Sequence, residues 1–437
     1  MSGAVACWTG GPFHPPIRER TALMRNPDVI VIGGGQSGLA MSRSLAAQGI
    51  DHVVLERGRI GERWYSERWN SLRLLTINAQ SALPGLPHEG GEPEFMPARA
   101  FASYLGSYAQ KIDGPVMTGV EVTKVERGMS GYRVTTNAGQ WQARAVVVAT
   151  GACDTPFRPA MAHALAPSIL QISPTEYREP GQLPDGGVLV VGASSTGVQL
   201  AEEIHASGRP AVLAVGDHTR VPRRYRGRDI YAWLETTGIL DDRALESGNL
   251  EAARRQPSLQ LVGSPDNRDL DLSVLSRQGV RLTGRLAAIN GPKAQFSGDL
   301  ERTTARSHTR MLRIFDRIDD CIKGRGLDAP AADPVARTPF LAAGGPLTLD
   351  LRRERIRTVV WATGYVRHYP WLKVPVLDGR GEIIHDGGVT ASPGLYVLGL
   401  VYLRRRRSSF IDGCGLDADE LAPIVKAHLN LSARQVA

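Results

Sequence analysis

The stretch Val-Leu-Val-Val-Gly-Ala-Ser-Ser-Thr-Gly-Val-Gln-Leu-Ala-Glu-Glu-Ile, residues Val188 to Ile204, decides the fold class. Its opening apolar run reads as a parallel strand buried on both faces. The run enters a turn of small residues, Gly192, Ser194 and Gly197 at G-x-S-x-x-G spacing, and then a helical pattern through Ala206. Strand, small-residue turn and helix in that order form the phosphate-cradling corner of a dinucleotide-binding unit.

Towards the N-terminus the same device occurs again. Val29 to Ile32 is an apolar strand, followed by Gly33, Gly35 and Gly38 at G-x-G-x-x-G spacing, a helix to Gly49, and a second strand ending at Glu56. Gly33 permits the tight turn, Gly35 lets backbone approach a pyrophosphate, and Gly38 lets helix and strand pack closely. Glu56 falls 18 positions after Gly38, where a carboxylate can accept hydrogen bonds from a ribose hydroxyl pair.

At the equivalent place after Gly197 stands Val215, so the second turn lacks that acid. Arg220, Arg223 and Arg224 follow, and guanidinium groups suit a phosphate that a carboxylate would repel. The first turn therefore calls for an unphosphorylated ribose, as in FAD, and the second for the 2′-phosphate of NADPH. Asp217 leaves NADH open, since its carboxylate could also reach the ribose.

With 437 residues the chain can form two or three domains with cores of their own. Apolar content of 42% and charged content of 22% are ordinary for a globular protein. No apolar run approaches the roughly 18 residues of a membrane span, so no span is expected and a cytoplasmic location is the default. The net charge of +8 comes from basic residues spread along the chain without aromatic interleaving, which argues against a nucleic-acid partner. Cys7, Cys153, Cys321 and Cys414 lie far apart. That spacing argues against a disulphide framework, a zinc site and a dithiol redox centre.

Both turns together, with Gly61-Glu62-Arg63-Trp64, Trp69-Asn70-Ser71-Leu72-Arg73-Leu74, the two Ala-Thr-Gly junctions at 149–151 and 362–364, and Gly394-Leu395-Tyr396-Val397-Leu398-Gly399, resemble the flavin-containing monooxygenases and the related YUCCA-like flavoproteins. The resemblance runs from about Asp28 to the C-terminus. It implies an α/β fold of two three-layer, Rossmann-like domains, with an NADPH domain inserted in a discontinuous FAD domain. The expected division is a flexible N-terminal extension at 1–25, the FAD domain at 26–160 and 346–437, and the NADPH domain at 161–345.

Carried over residue by residue, the resemblance gives FAD contacts to the first glycine turn, Glu56, Arg57, Arg63, Trp64, Thr76 and Val122. It adds Ala149, Thr150, Gly151, Gly399 and Asp412. NADPH contacts fall on Gly192, Ser194, Ser195, Thr196, Gly197 and the three arginines, and Ala362, Thr363 and Gly364 at the second junction count among the cofactor-binding residues. Asn78 takes the place of an asparagine beside the flavin.

The activity implied is oxygenation of a small-molecule substrate by O₂: NADPH reduces FAD, and a C4a-(hydro)peroxyflavin then transfers oxygen to nitrogen or sulfur, or hydroxylates. No metal is implied, and a homodimer is compatible with such a chain. Two alternatives stay open, an NAD(P)H oxidase or reductase serving a quinone or partner, and a non-catalytic redox-sensing flavoprotein. One departure from the family is plain. Where its fingerprint has Phe, Gly and His, this chain has Pro167, Ile169 and Ser173, keeping only Tyr177 and Arg178.

Further expectations concern the flavin's surroundings. Trp64, Trp69, Phe410 and Ile411 are candidate walls, and Leu416 to Leu431 reads as a terminal helix whose N-terminal amides face the flavin ring. Arg404 to Arg407 reads first as a solvated edge, with reception of an acidic substrate or a cofactor phosphate as the alternative. Asp299 to Lys323 has an amphipathic helical pattern, and Asp328 to Gly345 reads as a mobile connection.

Overall fold

The computed structural model describes residues 26–88, 94–112, 114–244, 248–342 and 344–434. The extension expected at 1–25 lies outside them.

The apolar runs form two sheets. In the first, Leu395–Val397, Ala145–Val148, Val29–Ile32, His52–Glu56 and Val116–Thr118 lie side by side and parallel, with two short antiparallel strands added beyond Leu395–Val397. Val29 to Val31 are completely buried, as strands covered on both faces require. Helices Gln36–Ala47, Ala98–Lys111 and Ile411–Arg434 share that core, together with the antiparallel meander of residues 122–143.

The second sheet is wholly parallel, in the order Arg281–Thr283, Ala211–Ala214, Gly187–Val191, Ile356–Trp361, Leu170–Ile172. It corrects the boundary expected at residue 345. Leu189, Val190 and Val191 pair in register with Val359, Val360 and Trp361, so the strand leading to the second Ala-Thr-Gly belongs to the second unit. The chain returns to the first unit only after Gly364. There the two traverses meet: Thr155–Pro156 pairs antiparallel with Tyr365–Val366, and Phe157 N–H donates to Gly364 O at 2.9 Å.

The amphipathic pattern near residue 300 forms the helix Leu300–Arg325, which buries Met311, Phe315, Ile318 and Ile322. The stretch expected as a mobile connection is anchored by Arg337, which binds Asp319 at 2.6 Å and Asp316 at 3.1 Å.

A candidate active site built on two matching turns

The two glycine turns agree position by position. Gly33 has φ 113° and Gly192 φ 109°, in the left-handed half of the map that side chains avoid. A Cβ on either would press on a carbonyl oxygen, Ala149 O at 2.6 Å or Ala362 O at 2.2 Å. Each Ala-Thr-Gly junction therefore braces the turn of its own unit. A Cβ on Gly38 or Gly197 would lie 1.8 Å from Gly33 O or Gly192 O, so neither tolerates a side chain.

The middle positions obey a different rule. Gly35 (φ −87°, ψ −171°) and Ser194 (φ −76°, ψ −173°) are both extended, a conformation open to any residue. A Cβ on Gly35 would meet nothing within 4 Å. What glycine provides there is the bare approach, which explains why serine serves in the second turn. Neither helix that follows, Gln36–Ala47 or Ser195–Ala206, has a side-chain cap or an acid in its first turn. Their leading amides, including those of Ser195 and Thr196, thus present positive ends suited to phosphate.

Around the first turn, Glu56 accepts from Gly34 N–H at 2.6 Å and Gly58 N–H at 2.7 Å, leaving lone pairs for a ribose. Arg57 is exposed beside it. Val120 N–H donates to Glu56 O at 2.9 Å, and Val122 stands two residues further on, paired with Thr136. Gly399, just past the strand Leu395–Val397, packs on the first helix turn: its Cβ would lie 2.2 Å from Ser37 Oγ. Arg63 binds Glu67 at 2.6 Å and donates to the Asp154 carbonyl, tying its segment to the chain beyond Thr150 and Gly151. Trp64 meets Phe101 edge-on at 4.8 Å.

Thr76 spends its hydroxyl on Ser81 Oγ at 2.7 Å. Asn78 begins a short 3-10 turn, and its side-chain oxygen is buried without a partner. Two residues on, Gln80 donates to Glu235 at 2.8 Å, Glu235 lies 3.4 Å from Arg407, and Arg407 holds Asp412 at 2.8 Å. The C-terminal helix begins at Ile411, earlier than the Leu416 expected, so Asp412 stands in its first turn. Burial pushes the Asp412 carboxyl up, against the pull of Arg407, and its Oδ1 is buried without a partner. These orphaned acceptors, with the open approach at Gly35, fit a flavin dinucleotide rich in N–H and O–H donors.

The four-arginine run is no solvated edge. Arg405 and Arg407 are buried. Arg405 binds Asp417 at 3.1 Å and also Glu420, while Arg407 joins Asp412 of the first unit to Asp241 and Glu235 of the second. Arg406 reaches Gln256 at 3.0 Å, and Arg406 N–H donates to Asp242 O at 3.1 Å. Isolated charge runs are usually solvated, but here carboxylates from both units close around this one.

The second turn brings further corrections. Arg223, expected at a coenzyme phosphate, is completely buried and already committed: it donates to Asp229 at 2.6 Å and to Leu75 O at 2.8 Å, and lies over the Phe95 ring at 4.4 Å. Arg224 is exposed and closes its own hairpin on Gly227 O at 2.5 Å. Arg220 faces Asp271 at 3.4 Å with Nε and Nη1 lacking hydrogen-bond partners. Gln260, which no spacing singles out, donates to Ala193 O inside the turn at 2.6 Å and keeps a buried, unpartnered Oε1.

Of the expected walls, Trp64 and Ile411 join the first core, whereas Trp69 packs into the core of the second unit and Phe410 against Tyr231 at 5.9 Å. Trp69, Arg73, Glu203 and Arg268 line a cleft of about 660 Å³ along the flank of the helix Ser195–Ala206. The retained Tyr177 is buried in the second core, and Arg178 O accepts from Asn70 N–H at 2.9 Å.

Comparison with known proteins agrees with this geometry. A family model described as pyridine nucleotide-disulphide oxidoreductase matches residues 30–236. Over 406 residues the chain is 30% identical to an uncharacterized CzcO-like oxidoreductase of Geobacillus kaustophilus, an alignment covering 92% of this chain and 99% of the relative. The chain belongs to the CzcO-like oxidoreductases. It is also 26% identical over 401 residues to the indole-3-pyruvate monooxygenase YUCCA1 of Oryza sativa subsp. japonica, covering 88% of this chain and 89% of that one. In fold, this CzcO-like enzyme is similar to a flavin-containing monooxygenase from Stenotrophomonas maltophilia, with a TM-score of 0.65 at 20% identity over 93% and 99% of the two chains. Among its described residues Cys153, Cys321 and Cys414 are unpaired, no cluster of metal-ligating side chains occurs, and no helix is long and apolar enough to cross a membrane.

Proposed function

We propose that this CzcO-like oxidoreductase is an FAD- and NADPH-dependent monooxygenase that oxygenates a small molecule at nitrogen or sulfur, or hydroxylates it. The observation that carries the reading is the duplicated turn, in which the first copy has a carboxylate, Glu56, at the end of its second strand and the second copy has Val215 at that position. One turn is thus built for a resident dinucleotide and the other for a visiting one. When bound, flavin and nicotinamide supply hydride transfer and oxygen activation, and the protein supplies binding, orientation and electrostatics.

The residues divide that work. Gly33, Gly35 and Gly38, with the helix amides behind them, hold the FAD pyrophosphate, and Glu56 holds its ribose. Gly399 seals the strand end against Ser37. Asn78 and Asp412 offer acceptors to the flavin side, and Asp412, with its raised pKa and one unshared oxygen, can hold or release a proton there. The second turn and Gln260 orient the nicotinamide coenzyme. Oxygen transfer demands that water be kept from the reacting centre, and of the expected walls Trp64 and Ile411 remain on the FAD side.

A second reading, an NAD(P)H oxidase or reductase, is favoured by the replaced fingerprint, since Ser173 is occupied by Glu176 at 2.6 Å and offers no substitute for the missing histidine. Anaerobic mixing of the holoenzyme with NADPH, followed by isotopically labelled O₂ and a panel of amines, thioethers and ketones, separates the two. Fast flavin reduction with label in an organic product supports the monooxygenase. Fast reduction with all electrons recovered in hydrogen peroxide overturns it in favour of the oxidase. A flavin that NADPH does not reduce overturns both and leaves a binding module.

A further inference from the structure

Of the three arginines expected at the coenzyme's distal phosphate, Arg223 is buried on Asp229 and Arg224 closes its own hairpin, which leaves Arg220, and the structure offers two further candidates. Gly192 N–H donates to Ala214 O, so the end of the strand Ala211–Ala214 abuts the second turn. The crevice beyond adjacent strand ends is where the adenosine ribose of a dinucleotide lies. Two arginines distant in sequence converge there.

Arg285 lies flat against Gly216. A Cβ on Gly216 would be 3.6 Å from its Cζ and Nη2 and 3.7 Å from its Nη1, so the guanidinium face covers the glycine and its N–H edges stay clear. Arg285 is exposed and its guanidinium forms no ion pair among the described residues. Asp299, the carboxylate whose field it shares, is taken by Ser297 Oγ at 2.5 Å.

Arg310, from the long helix Leu300–Arg325, arrives from the other side. Its Nη2 spans both oxygens of Asp217 at 2.7 and 2.9 Å, and its Nη1 donates to His218 O at 2.6 Å. Asp217, whose carboxylate would otherwise exclude a phosphate, is thereby neutralised. The buried His218 ring, bonded to Gly216 O at 3.0 Å, fixes the loop that carries it.

We infer that Arg285 and Arg310 are the groups that select the 2′-phosphorylated coenzyme, with Asp217 as the opposing charge that Arg310 holds in check. Arg285 meets the phosphate with free donor edges, and Arg310 shares its guanidinium between phosphate and Asp217. The inference rests on the coenzyme reading of the second turn and adds to it two receivers from outside the glycine-turn unit.

The test is calorimetric titration of the oxidised holoenzyme with 2′,5′-ADP and with 5′-ADP, which needs no turnover. The wild type is expected to bind 2′,5′-ADP more tightly. Arg285→Gln and Arg310→Gln should each weaken 2′,5′-ADP by about tenfold or more while moving 5′-ADP less than about threefold. Asp217→Asn, an exposed change, should strengthen 2′,5′-ADP. Retained flavin absorbance certifies each variant as folded, and Arg285→Lys, which keeps the charge, should recover part of the loss. Equal weakening of both nucleotides, or none, overturns the inference while the coenzyme reading stands. Failure of the wild type to bind either nucleotide overturns both.

Discussion

Gly399 and Ser37 touch so closely that a single methyl group on the glycine would overlap the serine hydroxyl, at 2.2 Å. Gly399 also has φ 79°. Gly399→Ala therefore meets two penalties, a left-handed backbone and an overlap with the first turn of the helix Gln36–Ala47. We expect a loss of about 2–4 kcal/mol of stability and a lower flavin-to-protein absorbance ratio. Ser37→Gly in the same chain should restore part of both, because it removes the overlapped atoms.

The first glycine turn should separate packing from ligand approach. Gly38→Ala places a carbon 1.8 Å from Gly33 O and should abolish soluble expression. Gly35→Ser, with open space around the new side chain and an ordinary backbone, should leave the thermal midpoint of flavin-stripped protein within a few degrees. Its effect should appear in flavin retention, measured as release during dialysis.

Arg407 neutralises Asp412, Asp241 and Glu235 together. Arg407→Met should cost about 3–5 kcal/mol, because it strands a buried carboxylate. The Asp412 carboxyl is already raised by burial, so the cost of its charge is present above its folded pKa and shrinks as pH falls and it takes up a proton. Urea unfolding of the variant should therefore show its smallest deficit at acid pH.

His385 behaves in the opposite sense. Burial, aided by Arg254 at 3.2 Å, lowers its pKa from 6.5 to about 4. Between those values the unfolded chain binds the proton and the folded one does not, so stability falls as pH drops from 6.5 towards 4. The loss is about 2 kcal/mol once exposure is discounted. His385→Asn should flatten thermal midpoints across that window.

What the sequence made legible was local. Both glycine turns, Glu56 and the two Ala-Thr-Gly junctions are short patterns whose chemistry lies within one strand-turn-helix unit, and each falls where its spacing implies. Side chains whose partners lie far along the chain were illegible. Arg223 and the run Arg404 to Arg407 look like free charge until the carboxylates that enclose them are seen, and Gln260 and Arg310 reach their places from 67 and 93 residues away. The strand Ile356–Trp361 was misplaced for a related reason: its apolar residues announce a buried strand but do not say which sheet receives it.

The hydrogen-bonded pair Thr155–Pro156 and Tyr365–Val366 has an architectural consequence. Exit and re-entry occur at a single socket, so residues 157–364 form a cassette, and closing the gap takes only a tight hairpin between the two short strands. A chain shortened in that way would keep the strands of the first sheet but would strip Arg407 of Asp241 and Glu235 and uncover Trp69.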